Sequence, residues 1–166
     1  EPRRGQDGGM DDRSGASRTA VLVCQGRAAA DGRIAPGRFA DDTARAFLRA
    51  DELAVVDLVR AEAIPSGWRA RVEYELVRSC AEVMAPRTVA IDDAVRAAGL
   101  PQVAILGAGL DGRAWRLPAL AGAAVFELDR PRSQQDKRER SGARPPLCAS
   151  LTIRARRYRP GSAGRR

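Results

Sequence analysis

Residues 102–129 read QVAILGAGLDGRAWRLPALAGAAVFELD, and their pattern decides the fold. The run at 103–106 is apolar at every position, which is typical of a strand covered on both faces, as in a parallel sheet. It leads directly into Gly107 and Gly109, which let the backbone turn with a positive φ and place no Cβ between the chain and a ligand. The order predicts strand, glycine loop, short helix and strand, the first half of a nucleotide-binding α/β sheet.

A second apolar run, at 124–126, ends at two acids, Glu127 and Asp129. In such a sheet, a carboxylate at the end of the second strand can accept two hydrogen bonds from ribose hydroxyls. The helix that follows the glycines presents free backbone N–H groups to the same ligand. The stretch therefore predicts a ligand that carries an adenosine-like ribose.

Length and composition limit the other possibilities. With 166 residues, 44% of them hydrophobic, the chain has the size of one domain with a modest core. It has no run near the ~18 apolar residues of a membrane span and no apolar core like that of a signal peptide, so we expect a cytoplasmic protein that binds no membrane.

Two residue types restrict the chemistry. The chain contains no histidine, which excludes histidine as a general base, a metal ligand or a triad member. Cys24, Cys80 and Cys148 are far apart and form no CxxC, so neither a disulfide framework nor a zinc site is indicated. We predict Cys80 to be a buried, inert thiol. The remaining chemistry depends on positioning and a reactive cofactor.

The net charge of +8 comes from one end of the chain. Residues 141–166 hold seven arginines and no acid, whereas residues 1–140 hold 22 basic and 21 acidic residues. The basic end has one aromatic residue, Tyr158, and no stacking pattern. We therefore expect no specific nucleic-acid binding.

The first hundred residues are predicted to be mainly helical. Ser17 caps a helix that ends before Asp31, and Asp41 or Asp42 caps the next one. A third short helix, carrying Leu53, Val56 and Val59, ends at residues 65–67. We interpret residues 17–99 as a helical cap, which either forms a lid over the cofactor pocket or packs against the sheet.

The clearest amphipathic pattern lies at 68–84. It predicts a helix whose buried face carries Trp68, Val72, Leu76, Cys80, Val83 and Met84. Pro86 marks the predicted end of this helix, and a further helix follows at 88–98 with Gly99 as its stop.

The glycine loop matches GxGxxG at residues 107–112, a pattern shared by nicotinamide-dependent oxidoreductases. Two features argue against a dinucleotide. Pro118 limits the next helix to residues 113–117, which is short for directing a dipole at a pyrophosphate. Asp111 places a negative charge in the loop, which repels a pyrophosphate and attracts a cation. S-adenosyl-L-methionine has a ribose, an ammonium group and a sulfonium, and no phosphate.

Several stretches of the sequence also resemble those of a known protein family. The stretches are SRTA at 17–20, RFADDTA at 38–44, APRTVAIDDAV at 85–95, ILGAGLDGRAWRLP at 105–118, VFELDRP at 125–131 and KRER at 137–140. Together they resemble the S-adenosylmethionine-dependent methyltransferases of the leucine carboxyl methyltransferase type, especially the bacterial and actinobacterial ones. The resemblance covers residues 17–140 in one order.

The resemblance implies a set of cofactor contacts. Gly107 and Gly109 would pack against the methionine part of the cofactor. Asp129 would hold the ribose, with Glu127 as a less favoured substitute.

It also implies two cationic contacts. Arg87 would face the cofactor carboxylate, to which a guanidinium fork is suited, and Arg18 would be a second such contact. Asp111 would either bind the ammonium group or cap the short helix. Without the resemblance, we would interpret Arg87 as a surface charge beside a helix.

The chain departs from the family pattern at three places. Gly112 stands where relatives have threonine, and Arg130 stands where they often have histidine. Beyond residue 140, a sequence rich in Arg, Pro, Gly and Ser stands in place of the family's further strands. Such a composition is typical of an out-of-frame translation of GC-rich DNA. We expect a truncated chain in which residues 1–16 and 141–166 are disordered, apart from a weak strand within 147–153.

These observations predict an α/β fold, in which a helical cap (17–99) precedes the amino-terminal half of a Rossmann-like methyltransferase sheet (100–140). The implied reaction is methyl transfer from S-adenosyl-L-methionine to a carboxylate or hydroxyl oxygen of a small molecule or protein. No catalytic residue is identified. The alternatives are a non-catalytic fragment with residual cofactor binding and an NAD-binding oxidoreductase.

Overall fold

The computed structural model describes residues 16–142, Pro146 and the backbone of residues 149–154. The elements are α1 (Arg18–Ala30), α2 (Asp42–Ala46), α3 (Ala50–Arg60), α4 (Trp68–Ala98), β1 (Gln102–Leu106), α5 (Arg113–Arg116), a 3₁₀ turn (Pro118–Leu120), β2 (Ala124–Asp129), α6 (Pro131–Ser141) and β3 (Ala149–Arg154). Residues 1–15, 143–145, 147–148 and 155–166, with the disorder predicted for them, lie outside the described residues.

The ends of several helices lie where local signals predict them. The Ser17 hydroxyl accepts a hydrogen bond from the Ala20 N–H at the start of α1, and the Asp41 carboxylate accepts one from the Ala44 N–H at the start of α2. Gly99 ends α4 in the left-handed conformation, with φ of 55°. These three predictions are confirmed because a cap depends on one side chain and the few residues after it.

Helices α1 and α4 form the centre of the helical layer, and a glycine sets their separation. A Cβ built on Gly26 of α1 would lie 2.7 Å from Cys80 Sγ and 3.0 Å from the Cys80 carbonyl carbon of α4. The absence of a side chain at Gly26 therefore lets the two backbones approach closely. Cys80 is half-buried and its thiol donates to the Leu22 carbonyl at 3.5 Å.

The prediction for α4 is wrong in two respects. The helix continues through Pro86, because Ala85 and Val89 on either side of it are both buried in the helical core. That packing outweighs the loss of one backbone hydrogen bond.

The predicted buried face of α4 is also largely exposed. Trp68, Val72, Leu76 and Val83 are 51–71% exposed. The buried residues are instead Tyr74, Val77, Ala81, Ala85, Thr88, Val89 and Asp92. The helix has two apolar rows, and the row with alanines allows the close approach that Gly26 makes possible.

The sheet has three parallel strands in the order β1-β2-β3. Strand β1 pairs with β2 in a register that places Val103 opposite Val125 and Leu106 opposite Leu128. Val103 and Ile105 pack on a small core that includes Val125 and Val95 of α4. Through Val95, the helical layer contacts the core beside the sheet.

Strand β1 is covered less than its sequence predicts. Leu106 is 76% exposed, and Ala104 is also exposed, so only one face of the strand is packed. The expectation of two covered faces is wrong for β1 within the described residues, because no described element lies over its other face.

Strand β3 departs from the expectation of a disordered end. Residues 149–154 pair with β2 along its whole length, from Ala124 opposite Ala149 to Asp129 opposite Arg154. The weak strand expected within 147–153 is therefore present at 149–154, because β2 offers a free edge whose backbone groups need partners. Among the described helices, none combines the length and the hydropathy needed to cross a bilayer.

Candidate cofactor cleft

A cleft of about 1680 Å³ opens where the carboxyl ends of β1 and β2 meet the start of α1 and the middle of α4. The six residues predicted to contact a cofactor all line it: Arg18, Arg87, Gly107, Gly109, Asp111 and Asp129. They come from four separate stretches of the chain, so the fold brings together what the sequence keeps apart. Ligands of open α/β sheets bind at this edge.

The glycine loop has the backbone conformation that its residues predict. Gly107 and Gly109 have φ of 63° and 46°, in the left-handed region that favours glycine. The Gly107 N–H donates to the Leu128 carbonyl at 2.8 Å, which joins the loop to β2. A Cβ on Gly109 would lie 3.0 Å from Ala20 Cβ, whereas one on Gly107 would point into open space. The loop therefore presents bare backbone to the cleft at Gly107.

Asp129 closes the loop from the neighbouring strand. Its Oδ2 accepts a hydrogen bond from the Gly109 N–H at 2.6 Å, and its Oδ1 accepts one from the Arg130 N–H at 2.6 Å. The carboxylate is half-buried and borders the cleft. Each carboxylate oxygen has a second lone pair, so Asp129 can still accept hydrogen bonds from a ligand.

Glu127, the less favoured substitute for Asp129, does not line the cleft. Its two carboxylate oxygens accept hydrogen bonds from Lys137 Nζ at 2.7 and 2.8 Å, and both side chains are buried. Lys137 Nζ also lies 4.8 Å from the centroid of the Trp115 ring. Burial raises the pKa of Glu127, and the attraction of Lys137 offsets only part of that rise. Glu127 thus serves a buried ion pair.

Asp111 adopts the capping role that was one of its two interpretations. Its Oδ1 accepts a hydrogen bond from the Arg113 N–H at 2.8 Å, at the start of α5, and its Oδ2 pairs with the Arg113 guanidinium. Burial would raise the pKa of Asp111, but the charges of Arg113 and Arg27 outweigh it and the pKa is lowered. The carboxylate is therefore ionised beside the cleft.

Two arginines stand on the helical wall of the cleft. Arg18 is the first residue of α1, and Arg87 lies in the middle of α4. Both side chains are exposed, and Arg87 Nη1 lies 3.9 Å from the sulfur of Met84. Their cationic groups and the two carboxylates of Asp111 and Asp129 give the cleft charges of both signs.

A buried charged network below the loop has no counterpart in the sequence predictions. Asp92 of α4 accepts hydrogen bonds from Arg113 Nε at 2.7 Å and from Arg116 Nη1 at 2.6 Å. Asp41 accepts one from Arg27 Nη1 at 2.9 Å and lies 3.2 Å from Arg116 Nε. The network therefore connects the helical layer to α5 and the glycine loop.

The sequence contains one signal for this network. Asp41 and Asp92 lie in the stretches RFADDTA and IDDAV that carry the family resemblance, and Arg27 interrupts an apolar helix. A charge in an apolar row indicates a buried ion pair, because an unpaired buried charge is costly. The partners could not be identified, since they lie 14 to 83 residues apart.

Gly112 fits this chain for a local steric reason. A Cβ built on Gly112 would lie 1.9 Å from Thr43 Oγ1 and 3.1 Å from Thr43 Cβ. The Thr43 hydroxyl donates to Asp41 Oδ1 at 2.6 Å and is completely buried, so it cannot easily turn away. A side chain at position 112 is therefore incompatible with this position of Thr43.

The structure defines an α/β protein whose small parallel sheet carries a glycine-loop cleft, consistent with a methyltransferase-like fold. The sequence model of the leucine carboxyl methyltransferase family matches residues 20–153. The chain therefore belongs to this family.

Relatives from mycobacteria agree with this assignment. A protein of Mycolicibacterium paratuberculosis, provisionally named an S-adenosyl-L-methionine-dependent methyltransferase, is 37% identical over 144 residues, which are 81% of this chain and 44% of that protein. Proteins of the same name from Mycobacterium ulcerans and Mycobacterium sp. are 60% identical over 53 residues and 52% identical over 50 residues. Each of these two matches covers 30% of this chain and 17% of the relative. The chain thus spans less than half the length of the curated relatives it matches.

Proposed function

We propose that this chain binds S-adenosyl-L-methionine in the cleft and belongs to an enzyme that transfers the cofactor's methyl group to an oxygen atom. In this proposal the sheet is the amino-terminal half of a Rossmann-like methyltransferase sheet. The observation that carries it is the pairing of the Gly109 N–H with the Asp129 carboxylate at the tips of adjacent parallel strands. This pairing puts bare backbone beside a carboxylate, the group that would accept hydrogen bonds from the ribose hydroxyls.

The charges of both signs in the cleft support this ligand. The guanidinium groups of Arg87 and Arg18 would hold the carboxylate of the methionine part, and Asp129 would hold the ribose hydroxyls. Asp111, whose lowered pKa keeps it ionised, would favour the cationic ammonium and sulfonium groups by its field.

The same features disfavour NAD. Helix α5 has four residues, so it provides little dipole to stabilise a pyrophosphate. The ionised Asp111 lies next to the loop amides that a pyrophosphate would need. We therefore keep the oxidoreductase only as the alternative that a binding experiment must reject.

The proposed acceptor is a carboxylate or hydroxyl of a small molecule or a protein. When bound, the cofactor supplies an electrophilic methyl group on its sulfonium, and an acceptor oxygen aligned with the carbon–sulfur bond displaces it. The residues of this chain would contribute alignment and exclusion of water. A carboxylate acceptor needs no general base, in keeping with a chain that has no histidine. A cytoplasmic location without specific nucleic-acid partners belongs to the same proposal.

A second candidate is a cofactor-binding chain without turnover. It is favoured by β1, whose outer edge has no partner strand and whose Leu106 is 76% exposed within the described part of the chain. Such a surface leaves one side of the cleft uncovered, so water could reach the acceptor position.

Calorimetry tests the proposal and separates the candidates. S-adenosylhomocysteine should bind the chain and NAD should not, and Arg87→Ala should weaken binding roughly tenfold because a charge-assisted contact is lost. Arg71→Ala is the matched control on the same helix, because Arg71 is exposed and does not line the cleft. Binding of NAD alone would refute the proposal. A methyl-transfer assay with radiolabelled cofactor then distinguishes turnover from binding alone.

A further inference from the structure

Arg27 of α1 is a buried charge that also borders the cleft, and the proposed contacts with the cofactor do not use it. The residue is 4% exposed. Its Nη1 donates to Asp41 Oδ2 at 2.9 Å, and its Nη2 donates to the backbone carbonyl of Leu110 at 2.6 Å. One guanidinium fork thus connects the cap of α2 to the middle of the glycine loop.

The loop is attached to the helical layer at this point. The Leu110 side chain is 2% exposed and packs in the helical core, and the Asp111 N–H closes the turn on the Ala108 carbonyl at 2.7 Å. The hydrogen bond from Arg27 to the Leu110 carbonyl therefore fixes the position of Leu110, which follows Gly109. Any shift of α1 would be passed to the loop amides.

Asp41, which accepts the other hydrogen bond of the Arg27 guanidinium, is itself held in a fixed position. It is fully buried, its Oδ1 accepts hydrogen bonds from Thr43 Oγ1 at 2.6 Å and from the Ala44 N–H at 3.0 Å, and its N–H donates to Asp31 Oδ1 at 2.8 Å. The carboxylate cannot follow Arg27 if the guanidinium moves. One nitrogen of the Arg27 guanidinium is thus held by Asp41, and the other holds the glycine loop through the Leu110 carbonyl.

We propose that Arg27 is a positioning residue, which sets the shape of the glycine loop for its ligand through the Leu110 carbonyl. The inference rests on the proposed function for the identity of that ligand. It adds that affinity for the ligand depends on a buried contact between α1 and the loop. The planar fork is required, because the single ammonium of lysine cannot reproduce two donors in fixed geometry.

The test compares Arg27→Lys with Arg60→Lys. Arg60 is a matched control, because its Nη1 also donates to backbone carbonyls of the helical layer, those of Ala28 and Asp31, at 3.1 and 2.7 Å. We expect Arg27→Lys to raise the Kd for S-adenosylhomocysteine roughly tenfold. Arg60→Lys should leave this Kd within about twofold, because Arg60 makes no contact with the loop.

Amide hydrogen exchange without ligand gives a second readout. Arg27→Lys should speed exchange at the loop amides of residues 108–111 and leave the centre of α4 at the wild-type rate. Exchange that rises throughout α1 and α4 as well would show a general loss of stability and overturn the proposal. Unchanged exchange at 108–111 would overturn it too.

Asp41→Asn provides a variant in case Arg27→Lys does not fold. It keeps the shape of the anchor and removes its charge, so loop exchange should rise by a smaller factor in the same place. If the wild type fails to bind S-adenosylhomocysteine, the proposed function is wrong, and the exchange experiment alone still decides the role of Arg27.

Discussion

The Asp129 carboxylate accepts a hydrogen bond from the backbone N–H of Gly109 at 2.6 Å, across the gap between the end of β2 and the glycine loop. This contact makes the two halves of the predicted site one unit. It holds the loop in the conformation that Gly109 requires, with φ of 46°. It also fixes the carboxylate beside the bare backbone, before any ligand is present.

Gly109→Ala tests the backbone requirement. The substitution forces a Cβ into the left-handed region and places it 3.0 Å from Ala20 Cβ, so we expect a loss of about 1–3 kcal/mol in the free energy of unfolding. Ligand affinity should fall at least tenfold in calorimetry. Gly122→Ala is the control, because a Cβ there meets no atom within 4 Å and no positive φ is required. Equal effects at 109 and 122 would contradict the role of the loop.

A double-mutant cycle tests the steric match between Gly112 and Thr43. Gly112→Ala should destabilise the chain by about 1–3 kcal/mol, because the new Cβ collides with Thr43 Oγ1. Thr43→Ala should cost about 1 kcal/mol for its lost hydrogen bond to Asp41. In the double variant the collision is relieved, so urea unfolding should show a coupling above about 1 kcal/mol. Additive losses would mean that Thr43 does not restrict position 112.

Asp92 and Asp93 are neighbours on α4 with different expected effects. Asp92→Ala removes the carboxylate shared by the largely buried side chains of Arg113 and Arg116, which keep Asp111 and Asp41 as partners, so we expect a loss of about 3 kcal/mol. Asp93 pairs with exposed arginines, and its side chain is 48% exposed, so Asp93→Ala should cost at most about 1 kcal/mol. Chemical unfolding of the two variants measures the contrast. Similar losses would show that the network contributes little.

Asp136 gives a prediction for pH. Burial would raise its pKa, but hydrogen bonds from the Ala16 N–H and Arg140 and the charge of Arg49 outweigh it, and the pKa lies below its ordinary value of 3.8. The stability it contributes is present above about pH 4 and is lost as the pH falls through the lowered pKa. The difference in unfolding free energy between wild type and Asp136→Asn should therefore shrink below about pH 4. A difference that stays constant down to about pH 2 would contradict the lowered pKa.

Local signals predicted β1, β2, the glycine loop and several helix ends, because each depends on a few adjacent residues. The short helix expected at 113–117 is present as α5, and the acid expected at the tip of β2 reaches the loop. The prediction of the buried face of α4 failed because the helix has two apolar rows, one with Leu76 and the other with Val77. Which row is buried depends on Gly26, about fifty residues earlier in the chain.

The buried network could not be predicted from the same kind of signal. Asp92, Arg113 and Arg116 have the spacing of ordinary surface charges, and their burial depends on how α4 crosses α5. Charged residues are mostly exposed, so a pattern in one sequence favours the surface. Only the assembled fold shows that these charges are partners.

Thermal unfolding with and without S-adenosylhomocysteine, on the wild type and on Asp129→Ala, tests the central claim most directly. We predict that a ligand concentration of about 100 Kd stabilises the wild type by about 2.7 kcal/mol and raises its Tm by several degrees. The variant should show no rise, because it lacks both the proposed ribose acceptor and the partner of the Gly109 N–H. A rise of the same size in both proteins, or in neither, would contradict the account of the cleft.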